Sequence, residues 1–134
     1  MTSPEEHKKN IKQFLEDINE KIRAGLLLER QKIIGFASSE AAANLLEYYL
    51  HKKNVVSSGF QVNHNFFSST QRAQHFLDFE FSHKEELISL MIKQEEFRDF
   101  LCYGKEKRIE KIEEAISNVN RIKKIILTEL GEEQ

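Results

Sequence analysis

Tryptophan is absent, proline and cysteine occur once each, and glycine occurs only five times in 134 residues. So few chain breakers argue for helices separated by a few loops. Cys102 alone cannot form an intramolecular disulfide, which fits a reducing compartment. Long hydrophobic runs are also missing. The longest, such as Leu26–Leu28 and Ile125–Leu127, are three or four residues, against the ~20 needed to cross a bilayer, so no membrane span is expected. The chain starts Met-Thr-Ser-Pro-Glu-Glu-His-Lys-Lys, without the apolar stretch of a signal peptide, and the expected location is the cytoplasm. Neither sign of charge prevails. Twenty basic and 22 acidic residues leave a net charge of −2, so no overall field gathers nucleic acid or anionic lipid, and any RNA role must come from a local site. No G-x-G-x-x-G or Walker-type phosphate loop occurs, and no cofactor is called for.

What is present is enough apolar side chain for a core. At 40% hydrophobic and 31% charged, a chain of this length buries about two-thirds of its unfolded surface, which predicts one ordered domain over residues 1–134. The expected fold class is all-α, an up-and-down bundle of four to five helices. A first helix starts at Ser3, an N-cap followed by Pro4, Glu5 and Glu6, and carries an apolar stripe of Ile11, Phe14, Leu15, Ile18 and Ile22. Gly25 marks a turn. A second helix runs from about Leu27 to Lys53, where Ala37 and Ala41, Ala42 and Ala43 let a neighbour approach closely.

The stretch 54–70, rich in Asn, Ser and Gly, reads as a long loop, with its Val and Phe residues packed onto the bundle and a short helix over Thr70 to Leu77. Ser82 and Glu85 form a capping box opening a helix that ends near Gly104. A last helix from about Lys105 to Leu130 repeats apolar residues with a period near 3.6.

The segment 94–107, Gln-Glu-Glu-Phe-Arg-Asp-Phe-Leu-Cys-Tyr-Gly-Lys-Glu-Lys, stands at the end of the third main helix. It resembles the signature of the HEPN domains (higher eukaryotes and prokaryotes nucleotide-binding), an Arg, a polar residue, and a His after four to six intervening positions. Arg98 and Asp99 match the first two, while Tyr103 stands where the His would be. The order of helices from about Gln31 to Leu130 matches the family loosely. In active members the Arg and His sit at a helix end facing a cleft shared between two protomers and support metal-independent RNA cleavage. There a His near pKa 6.5 moves the proton and the Arg stabilises charge on the phosphorane.

Tyrosine, with a pKa near 10, replaces that His poorly. The resemblance therefore implies an interaction module of toxin-antitoxin type, a homodimer or the companion of a nucleotidyltransferase-type protein that could modify Tyr103. RNA would bind weakly. A divergent ribonuclease using Arg98 and an unexpected general base is the alternative, and an unrelated structural or adaptor bundle is a third reading. Glu40 on the second helix is a candidate to face Arg98, as an acidic residue does in some members, and Lys105, Lys107 and Arg108 are candidate RNA contacts.

Each of these residues also has a plain reading. Arg98 can pair with Glu95 on the helix surface for about 0.2–0.5 kcal/mol. Tyr103 can be a boundary aromatic, Glu40 a solvated carboxylate, and Cys102 a partly buried inert thiol. Glu47 and His51 share a helix face at i, i+4, and Glu80 precedes His83 by three. A di-iron site needs the Glu-x-x-His motif twice, with further Glu on facing helices, and no second copy occurs, so no metal site is expected. His7, His51, His64, His75 and His83 read as surface or loop residues.

Overall fold

The computed structural model describes residues 3–133. Its elements, in chain order, are α1 (Pro4–Arg23), α2 (Gln31–Lys52), a 3-10 turn (His64–Ser68), α3 (Thr70–Phe76), α4 (Lys84–Cys102) and α5 (Ile109–Leu130). There is no strand among the described residues, and no helix is long and apolar enough to cross a membrane.

The four long helices alternate in direction. His7 meets Asn44, and Phe14 meets Phe36, so α1 and α2 are antiparallel. Gly35 lies against Leu101 and the Tyr49 hydroxyl donates to the Ser82 carbonyl, so α4 runs back along α2. Asn118 and Gln94 join α4 to α5, the Asn118 amide donating 2.8 Å bonds to the Leu90 carbonyl and to Gln94 Oε1. That buried pairing satisfies polar groups that would otherwise cost free energy in the core.

Helix α2 is the spine. It touches α1, α4 and α5, and Ile34, Ala41, Ala42, Leu45, Tyr49 and Leu50 are sealed from solvent. A helix buried on most sides has no polar face to alternate with an apolar one, which is why its residues look hydrophobic all round. The expected Ala37 and Ala41 to Ala43 are all buried there. Helices α1 and α5, by contrast, each bury one stripe: Ile11 and Ile18 from α1, and Ile112, Ala115, Val119, Ile122 and Ile126 from α5.

The loop residues Val55, Val56, Phe60, Val62 and Phe66 pack against the core, and Phe67 is buried, as the loop's apolar content requires. Phe66 stacks on Phe76, and Phe60 and Phe79 meet edge to face.

Helix boundaries depart from expectation in three places. Helix α2 begins at Gln31 rather than Leu27, because Arg30 lies outside helical geometry and the Gln31 amide donates to the Leu28 carbonyl. The expected Ser82 capping box does not form. His83 occupies the cap position in a left-handed conformation (φ 63°) with no side-chain capping bond, and α4 starts at Lys84. Helix α5 starts at Ile109, not Lys105. Gly104 at φ +80° turns the chain, and the Lys107 N–H is taken by Gln31 Oε1 at 2.8 Å, which holds the linker extended against α2.

Candidate functional site

One polar strip follows α2 between its apolar flanks. Helix α2 carries two carboxylates only, Glu40 and Glu47, seven residues apart and therefore on the same side. Facing them are the start of α1 and the segment 61–64, with a polar cleft of about 220 Å³ lined by His7, Asn44, Glu47, Glu40 and His64.

At one end of the strip the His64 imidazole lies between two carboxylates. Nε2 is 3.0 Å from a Glu40 oxygen and Nδ1 is 2.5 Å from Glu95 Oε1. Ser39 Oγ donates to the same Glu95 oxygen at 2.8 Å. A ring donating from both nitrogens is an imidazolium. The hydrogen bonds to Glu40 and Glu95 outweigh burial and push its pKa up to about 9. The bond from His64 in turn holds the Glu40 carboxyl below its usual range, with the Arg98 charge adding to the effect. Because its nitrogens point to opposite sides at carboxylates, His64 offers no lone pair to a metal.

Arg98 adjoins this cluster. Its guanidinium lies 3.9 Å from Glu95 Oε2 and over the Phe36 ring, 5.6 Å from the centroid. The expected pairing with Glu95 is therefore present, and Glu40 belongs to the same electrostatic group as Arg98 rather than to bulk water.

Asp99 and Tyr103 do not join that group. Asp99 is exposed. Tyr103 lies past the end of α4 with extended backbone and is 68% exposed. Of the basic trio, Lys107 turns its ammonium over the Phe100 ring and onto the Tyr103 and Lys105 carbonyls. Lys105 is exposed, and Arg108 is exposed with Glu110 3.7 Å away. Cys102 is partly buried with its thiol against the Lys32 carbonyl, and burial pushes its pKa up, as an inert thiol requires.

At the other end His7 is not a surface residue; it is buried at 4% exposure. Its Nδ1 lies 2.8 Å from Asn44 Oδ1 and its Nε2 faces Glu47 Oε2. Glu47 also accepts the Val62 N–H at 2.6 Å. His51 is half-buried, with Nε2 3.0 Å from the Phe60 carbonyl and its ring stacked near that of His7. His83, by contrast, is surface-exposed between Glu86 and Glu129.

Sequence reasoning overlooked His64, Glu95 and Ser39 as one cluster and His7 as a buried group. The available signal was the pair of carboxylates on an otherwise uncharged stretch of α2, since buried charges demand partners. No protein-family model, curated protein or solved structure matches the chain.

Proposed function

We propose that the chain is a HEPN-like interaction module that pairs with a second copy of itself through the end of the bundle carrying Arg98. One observation carries this reading. Among the described residues, all the exposed large hydrophobic side chains except Phe76 belong to that end: Ile22, Ile33, Phe36, Phe100, Tyr103 and Ile109. They come from the close of α1, the start of α2, the close of α4 and the start of α5. Apolar side chains gathered in this way are characteristic of association surfaces, and the HEPN resemblance implies a protomer interface beside the motif Arg. Tyr103, exposed at the same end, is accessible to a nucleotidyltransferase-type partner.

Efficient RNA cleavage is not the expected activity. Tyr103 stands where the motif has its His, and His64, with a pKa of about 9, is already protonated at neutral pH and cannot serve as a base. The ribonuclease reading retains one specific support, the grouping of His64, Glu40, Glu95 and Arg98. In that reading the imidazolium donates a proton to the leaving oxygen, a carboxylate takes one from the attacking hydroxyl, and Arg98 stabilises the phosphorane.

Both readings meet one experiment. The purified chain and Arg98→Ala are incubated with a mixed RNA pool in chelator while light scattering reports oligomeric state. A stable dimer that leaves RNA intact is expected. A monomer at micromolar concentration removes the pairing, and cleavage that disappears in Arg98→Ala establishes the ribonuclease instead.

A further inference from the structure

His7, Glu47 and His51 each present one metal-ligating atom within 4.8 Å of the other two. Hydrogen bonding fixes which atoms those rings can offer. The Asn44 amide nitrogen donates to the Glu40 carbonyl at 2.8 Å, so the atom Asn44 turns to His7 is its oxygen, an acceptor only. His7 Nδ1 must therefore carry the hydrogen, and the neutral ring keeps its lone pair on Nε2. That Nε2 is buried with no neighbour to pair with but Glu47 Oε2, another acceptor, which it faces in a close ion-pair contact.

His51 repeats the logic. Its Nε2 meets the Phe60 carbonyl, which can only accept, so the lone pair of the neutral ring is on Nδ1. Glu47 spends Oε1 on the Val62 N–H and keeps Oε2 toward His7. Each of the three residues is thus held by one atom and offers another. Anchoring the far nitrogen of a ligand His on a carbonyl, and the second oxygen of a ligand carboxylate on an N–H, is the outer arrangement of protein metal sites.

Two facing acceptors need a cation between them. A proton on His7 Nε2 would join His7 to Glu47 alone, whereas a metal ion would engage His51 as well. We propose that His7, Glu47 and His51 form a divalent transition-metal site, with zinc the ion whose preference for imidazole nitrogen and carboxylate oxygen fits the set. Three protein ligands leave a coordination position open, and the polar cleft beside His7 and Glu47 gives an ion or water access to it.

The test uses the full chain, stripped with chelator and titrated with Co²⁺ followed by competing Zn²⁺. One equivalent of Co²⁺ bound with the visible absorption of a four- or five-coordinate site, and displaced by Zn²⁺, is expected. His51→Ala and Glu47→Gln weaken binding by more than about tenfold, and Asn44→Ala, which removes only the anchor of His7, weakens it by about tenfold. His75→Ala, on an exposed histidine of α3, leaves binding unchanged. His51 is half-exposed in the last turn of α2 and Gln preserves the acceptor for Val62, so both ligand variants keep the fold, which circular dichroism checks. Absence of the Co²⁺ band, equal affinity in His51→Ala, or loss of binding in His75→Ala overturns the proposal and leaves a proton between His7 and Glu47.

Discussion

His64 is the residue whose charge most shapes the candidate site, and its protonation links the site to stability. Its folded pKa of about 9 lies above the ordinary 6.5, so the native state holds the proton more tightly than the unfolded chain does. The stabilisation is full below pH 6.5 and disappears as pH rises through about 9. Glu40 has the opposite sign: its carboxyl is held below the usual 4.5, so its contribution is present above 4.5 and is lost as pH falls through the lowered value. Both descriptions concern the same His64–Glu40 contact and are not summed. Urea unfolding at pH 6 and pH 9 should show the protein losing stability at the higher pH, and His64→Gln should flatten that difference. A slope that survives the substitution would place the titrating group elsewhere.

At the scale of elements, α2 and α4 approach each other closely at Gly35. A Cβ there would stand 2.9 Å from Leu101 Cβ and 3.3 Å from Cys102 Sγ. Alanine is the better helix former by about 1 kcal/mol, but overpacking a filled contact costs about 1–3 kcal/mol. Leu101 Cβ is fixed to its backbone and cannot swing aside, so packing decides the sign. Gly35→Ala should lower stability by about 1 kcal/mol in thermal or urea unfolding, and a stabilised variant would mean that α4 moves readily. The alanines of α2 were legible as a close-packing surface, while Gly35, equally small, gave no signal separating it from a turn residue. Helix α1 was legible because cap and periodicity agree, with Ser3 Oγ accepting the Glu6 N–H, whereas the other long helices were legible from their apolar residues and not from caps. Starts decided by distant partners were not. The hold of Gln31 on the Lys107 N–H joins residues 76 apart in sequence, which no local pattern records.

For the whole molecule, the same division between local and distant information decides what could be read of the site. Arg98 and Glu40 were legible, one from a short motif and the other from its place on the second helix. The His64 loop was not, because only folding brings 61–64 against α2 and α4, and His7 arrives from a separate helix. The distribution of exposed apolar side chains is likewise a property of the assembled bundle, since Ile33 and Phe36 lie far in sequence from Phe100 and Tyr103. That distribution leads to a prediction about how self-association responds to salt. Net charge is only −2, and salt of ~0.1 M screens charges beyond about 10 Å. Pairing through apolar side chains therefore should not weaken as chloride is raised, and sulfate, excluded from protein surfaces, should strengthen it. Phe36→Asp sets a charge among these side chains at a position 42% exposed in the single chain and should abolish the pairing, with circular dichroism checking that the fold survives loss of the Phe14 and Arg98 contacts. Light scattering across a salt series should give a dimer for the unaltered chain and a monomer for Phe36→Asp. A dimer that dissociates with added salt would instead assign the contact to charged side chains and remove the apolar end from the interface.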